Sequence, residues 1–206
     1  MKLPIPSEYL AVALIDGHKM DETRLVHRHI GDLVLPTGRL VACDPLVFPD
    51  APPYNLQLPI GTFPLILSVA HFATDQRVAF ATLRLSQNAP STWEMMTVGD
   101  QDLSNLEEDQ IFGYGVDSGT GCFMDQVASR VLSKTMQERN DFFETIIAKM
   151  KKNYVQTWDW TDMEFGAANL IAFSSGLGDG VYASYAGFDS ENSVSVIVTD
   201  FGVVPT

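Results

Sequence analysis

An α+β fold, mainly antiparallel β-sheet with two adjacent helices packed on one face and a short N-terminal helix, is what this sequence predicts. Three observations lead there. Helical apolar periodicity is confined to a short N-terminal stretch and to residues 122–150. Runs of β-branched and aromatic residues lie on both sides of that helical block. Strands and helices therefore do not alternate, which argues against a parallel α/β sheet. With 206 residues, 46% of them hydrophobic, the chain reads as one domain spanning 1–206 with a sizeable core.

Ser7–Ile15 reads as the short helix, started by Pro6 and Ser7 and stopped by Gly17. Thr23–Ile30 is β-rich, and Gly31-Asp32 marks a turn. Leu33–Leu35 and Arg39–Cys43 read as strands paired around Pro36-Thr37-Gly38. His27 and His29 share one strand face, but two histidines without a third ligand read as a surface pair. Residues 45–64 hold six prolines and form an irregular, semi-rigid connection. Phe63–Phe72 and Arg77–Leu85 then form a hairpin around Ala73–Gln76 and should lie near the sheet centre. Trp93–Met96 is another strand, and the acidic stretch 99–110 is a solvated loop. In the helical block, Phe123, Val127 and Val131 recur at i, i+4, i+8 over Cys122–Ser133. Thr135 caps a second helix whose apolar face is Phe142, Phe143, Ile146, Ile147 and Met150. Lys149, Lys151 and Lys152 suit its C-terminal end, and Asn153 stops it. The remainder returns to strands: Asn169–Phe173, Val181–Phe188 and Val194–Val204, with Asp189–Asn192 as the turn between the last two.

The formal net charge is −13, unevenly spread. Residues 1–40 carry five acids and five bases; residues 153–206 carry seven acids and no Lys or Arg. Such a surface excludes nucleic acid as a partner, because phosphate binding needs basic residues. It suits solubility, and it would attract a basic protein. No apolar run approaches a membrane span, and the N-terminus lacks an apolar signal core. Two cysteines make no disulfide framework, so they are expected to be unbridged thiols in a cytoplasmic protein.

The densest chemistry lies in Gly113-Tyr114-Gly115-Val116-Asp117-Ser118-Gly119-Thr120-Gly121-Cys122-Phe123-Met124-Asp125. It reads as an aromatic strand, a glycine-rich turn and a helix opening at Cys122. In that geometry the amides of residues 120–123 would face an anion and lower the thiol pKa of Cys122. Four readings stand side by side. Asp117 or Thr120 caps the helix and Cys122 is a core residue. Asp117, Ser118, Thr120 and Asp125 line a pocket for a small ligand or cation. Cys122 is a nucleophile, which requires a histidine from far upstream. Val116–Thr120 is half of an aspartic-protease dyad, which requires a second copy that the chain lacks. A second glycine-dense stretch, Ser174–Gly180, reads as a tight hairpin, or as a loop that brings Gly178, Asp179 and Gly180 beside Asp117.

Leu35–Leu46, Arg77–Phe80, Trp93–Met95, Gly113–Asp125, Ser175–Gly180 with Tyr182, Gly187–Asp189 and Thr199–Phe201 together resemble a bacterial family, domain of unknown function 4241. The resemblance spans roughly 30–204. It implies a single domain in a bacterial, cytoplasmic setting, with the two glycine loops as paired features. In that family pattern a Trp often precedes Gly-Asp-Gly, where this chain has Leu177. The family implies no activity, cofactor or metal. The residues point first to a small-ligand or divalent-cation protein, with hydrolysis among the roles they would serve. An acidic interaction protein that masks a basic partner, such as a toxin, is the alternative.

Overall fold

The computed structural model describes residues 6–107 and 110–205. Most of the acidic stretch 99–110 lies within it, but Glu108 and Asp109 lie outside the described residues. Helix α1 covers Ser7–Val12, and strand β1 is Lys19–Met20. Strand β2 runs Thr23–Leu35 without a break. The expected turn at Gly31-Asp32 is instead a β-bulge, where the register slips between His29 and Gly31. A side chain at Gly31 would meet Asp162 Oδ2 at 2.8 Å, so the bulge is built around the missing Cβ.

Strand β3, Leu40–Cys43, does not pair with Leu33–Leu35 as expected. The chain crosses from one sheet to another at Pro36–Arg39, and Leu35 pairs with Gly61. Strands β4 (Gly61–His71) and β5 (Gln76–Arg84) form the expected central hairpin. Strand β6 is Thr92–Met95, β7 is Tyr114–Val116 and β8 is Thr120–Asp125.

Cys122 therefore sits mid-strand, and the helix expected to open there begins at Gln126. Helix α2 spans Gln126–Glu138 and α3 spans Phe142–Met150. Residues 120–125 are held in ladders, to β10 over 120–124 and to β3 over 122–125, and Gly121 disfavours helix. The buried stripe of α2 is accordingly Ala128, Ser129 and Leu132, while Val131 is exposed. Thr135 lies inside α2, its hydroxyl donating to the Val131 carbonyl at 2.8 Å, and caps nothing. On α3, Phe142, Ile146 and Met150 are buried and Phe143 faces out.

Strands β9 (Trp160–Phe165) and β10 (Ala168–Ser174) follow. Strand β9 is not among the elements expected from the sequence, although Thr161, Met163 and Phe165 alternate inward between Asp162 and Glu164. The expected single strand Val181–Phe188 is two: β11 (Gly180–Tyr182) and β12 (Ser184–Phe188), in different sheets. Strand β13, Val194–Asp200, pairs with β12 and β5.

The antiparallel strands form a seven-stranded sheet (β1-β2-β4-β5-β13-β12-β6), a four-stranded sheet (β3-β8-β10-β9) and a β11–β7 ribbon. Alternation along the strands explains the layering. Leu40, Ala42, Phe123, Ile171 and Phe173 point into a core shared with the seven-stranded sheet. Val41, Cys43, Cys122, Met124, Leu170 and Ala172 point the other way, onto α2 and α3. Tyr9 and Leu10 of α1 cover the outer face of the seven-stranded sheet around Leu25, Phe80 and Tyr185. Each fully buried Leu or Phe contributes about 1.5–3 kcal/mol. Asn169 stitches the two large sheets, accepting from the Val34 amide at 2.8 Å and donating to the Asp32 carbonyl at 3.0 Å. Among the described residues no helix is long and apolar enough to cross a membrane.

Candidate functional site

The ribbon explains where the two glycine turns go. β7 and β11 pair with Val116 opposite Gly180 and Gly115 opposite Val181. That pairing sets the turn after β7 beside the loop before β11. The Gly119 amide donates to Asp179 Oδ1 at 3.0 Å, and the Ser175 amide donates to the Gly119 carbonyl at 3.0 Å. Gly119 has φ +68°, and Gly178 Cα lies 3.7 Å from the place its Cβ would occupy. Within the second loop, the Ser175 and Tyr182 hydroxyls both donate to the Gly178 carbonyl, at 3.0 and 2.7 Å. Ser174–Gly180 is thus not a hairpin, since β10 and β11 belong to different sheets.

Of the candidate residues, Gly119 meets Gly178 and Asp179 at this end of the ribbon, with Asp117 and Ser118 in the same turn and Gly180 paired to Val116. Thr120, Gly121 and Cys122 continue into the buried strand. A Cβ on Gly121 would sit 3.1 Å from the Tyr114 hydroxyl and 3.2 Å from the Phe173 ring, so this glycine serves close packing. Cys122 is fully buried against Met124, Ala128 and Leu132. Asp125 ends β8, roughly 17 Å along the strand from the turn. Its Oδ1 accepts from the Val127 amide at 2.9 Å and from the Thr37 hydroxyl at 2.8 Å. Asp125, rather than Asp117 or Thr120, is therefore the N-cap of α2. The helix dipole expected to act on Cys122 meets its own capping carboxylate instead.

Asp44, not among the residues expected from the sequence, is also part of the site. Its carboxylate is completely buried and accepts three backbone amides: Leu46 at 2.9 Å on Oδ1, and Asp117 at 3.0 Å and Ser118 at 2.8 Å on Oδ2. It locks the first glycine turn onto the end of β3. The signal was the Asp-Pro pair at 44–45, which favours a turn in which Asp accepts from the amide two residues on. Among the described residues no three His, Cys, Asp or Glu side chains converge as a metal set.

Next to the ribbon lies a cleft of about 340 Å³. The proline-rich segment folds back to form one wall. The Phe48 amide donates to the Asp44 carbonyl at 2.8 Å, and the Tyr54 amide to the Leu40 carbonyl at 2.8 Å. Ala42, Cys43, Phe48, Tyr54, Met96 and Tyr114 line it together with the polar Asp50 and Gln101. Gln101 is occupied, its Oε1 accepting from the Val98 amide at 2.9 Å. Gly113 and Gly115 complete the wall. A Cβ on Gly113 would strike the Tyr182 carbonyl at 2.6 Å, whereas one on Gly115 meets only Phe48, at 3.6 Å.

Both phenols are neutral. Burial pushes the pKa of Tyr54 and of Tyr114 well above the usual value. The Tyr54 hydroxyl donates to Ser184 Oγ at 2.9 Å, which contacts Thr199 Oγ1 at 2.6 Å. The Tyr114 hydroxyl is buried and has no hydrogen-bond partner among the described residues. Such a cleft favours apolar surface with few polar demands.

A family model described as "Protein of unknown function (DUF4241)" matches residues 33–199. No curated protein and no solved structure matches the chain.

Proposed function

This chain belongs to the DUF4241 family, and we propose that it binds a small, predominantly apolar organic molecule in the cleft between residues 42–54, 96–101 and 113–115. The observation that carries the reading is the cleft itself. Its 340 Å³ falls in the range of small-molecule sites, and neutral aromatic and aliphatic side chains form most of its wall. The two glycine turns act in this reading as the frame: Asp44 accepts backbone amides on both carboxylate oxygens and Asp179 on one of its two.

The test uses a neutral fluorescent probe, N-phenyl-1-naphthylamine, with a thermal-shift screen of apolar fragments. Gly115→Leu is the cleft-filling variant, because a Cβ there meets the Phe48 ring at an ordinary contact distance of 3.6 Å rather than backbone. Wild type should enhance probe emission and gain stability with fragments by mass action. Gly115→Leu should lose both while its own Tm moves by less than about 2 °C. Equal probe binding in the two proteins overturns the proposal. Calcium, magnesium and zinc belong in the same screen. A Tm rise with a metal, abolished by Asp117→Ala and Asp179→Ala, would move the site to the paired loops.

A second reading has its own support. Leu177, in the loop before β11, and Val181, on the ribbon, are exposed, 72% and 58% respectively, in the same region as the exposed acids Asp117 and Asp179. Apolar anchors with an acidic rim, on a chain of net charge −13, suit a basic protein partner. Salt-sensitive binding of a basic protein, weakened by Val181→Asp but not by Gly115→Leu, would favour that reading over the first.

A further inference from the structure

We propose that Cys43 and Cys122 form an oxidisable dithiol, which a small peroxide converts into a cross-strand disulfide beside the cleft. The two are the only cysteines in the chain, 79 positions apart in sequence. They are directly opposed as the last register pair of the β3–β8 ladder, and their sulfurs lie 3.6 Å apart. Opposed residues on antiparallel strands have Cα atoms roughly 4.5–5.5 Å apart, inside the window a disulfide spans. Closure to about 2.05 Å therefore asks for side-chain rotation rather than a new backbone path. β3 is an edge strand of four residues that ends at Cys43, so it yields more easily than the central strands.

The chemistry balances with peroxide alone. One thiolate attacks the peroxide, the O–O bond breaks, and the sulfur becomes a sulfenic acid as water leaves. The second thiol attacks that sulfur, forming the S–S bond and releasing a second water. Two thiols and one peroxide thus give one disulfide and two waters.

Access is through the cleft. Both sulfurs are buried, but Cys43 forms part of the cleft wall. Ala51, which also lines the cleft, packs against the cluster containing both cysteines. A peroxide is close to water in size and needs no room for a bulky mixed disulfide. The hydrogen bond to Cys122 and burial hold the Cys43 thiol well above its usual pKa, so the reaction is slow at neutral pH and quickens with base. The inference uses the cleft only as a route and is independent of what the cleft binds.

The experiment exposes folded, reduced protein to hydrogen peroxide, alkylates it under denaturing conditions and weighs the intact chain. The expected product has lost two hydrogens, takes up no alkylating reagent, regains both thiols with dithiothreitol, and melts roughly 5–15 °C higher than the reduced form. Cys43→Ala and Cys122→Ala should each leave a chain that never shows the two-hydrogen loss. Gly115→Leu should slow the reaction severalfold, and an unchanged rate there overturns the cleft as the route. Two alkylatable thiols after peroxide, oxygen added to separate sulfurs, or a disulfide only between two chains overturns the dithiol itself.

Discussion

Replacing Asp44 by alanine removes the acceptor of three backbone amides at once. A hydrogen bond to a charged group contributes about 1.5–3 kcal/mol, and an amide left unpaired recovers part of that if water reaches it. Leu46 is half-buried, so its amide keeps the larger loss, about 1.5 kcal/mol. Asp117 and Ser118 are exposed, and water repairs their amides in part, leaving about 0.5–1 kcal/mol each. The carboxylate itself is buried, but its partners already offset its desolvation, so its removal returns little. The sum is about 3 kcal/mol, which for a chain of this size lowers Tm by about 6–12 °C. Asp44→Asn keeps one acceptor oxygen and should lose roughly half as much. Urea denaturation with thermal melts of all three proteins measures this. If Asp44→Ala melts within about 2 °C of wild type, the carboxylate does not hold the glycine turn, and the frame assigned to the cleft is wrong.

Two glycines of the site should differ in the size and cause of their effects. Gly119→Ala meets little steric opposition but places a Cβ at φ +68°, which should cost about 1 kcal/mol. Gly121→Ala drives a methyl against the Tyr114 hydroxyl and the Phe173 ring, and should cost about 1–3 kcal/mol; urea midpoints showing both neutral would contradict this. Burial raises the pKa of Asp200, which accepts from the Tyr9 hydroxyl at 3.1 Å and the Gly202 amide at 2.9 Å. A raised acid binds its proton more tightly in the folded state, so its contribution to stability falls as pH rises above the usual carboxylate range. Asp200→Asn should therefore compare more favourably with wild type at pH 7 than at pH 3.5; a Tm difference that is flat or reversed across that range fails the prediction.

Particular residues show why only some of the site was legible. The Gly/Asp turns stand out because glycine and aspartate are demanded by local backbone geometry, which a short window of sequence carries. Asp44 did not stand out, because its role depends on amides 73 and 74 positions away. The helix expected at Cys122 fails for a related reason. The run from Phe123 to Val131 fits helical spacing, yet residues 122–124 gain strand partners on both sides, and those ladders outweigh periodicity. Asp125 was visible as a candidate, but only the true helix start turns it into a cap.

By itself the sequence determined the α+β class, the β4–β5 hairpin, helix α3 with its stop near Asn153, and the presence of two glycine turns. Each follows from propensity or periodicity among near neighbours in the chain. Only the tertiary structure decided that Leu35 and Leu40 enter different sheets, that Cys43 faces Cys122, that Asp44 fastens the first turn, and that three distant segments enclose a cleft. Those outcomes depend on which strand satisfies which hydrogen bonds and which face is buried. Residues tens of positions apart settle both together, so no local stretch carries the answer.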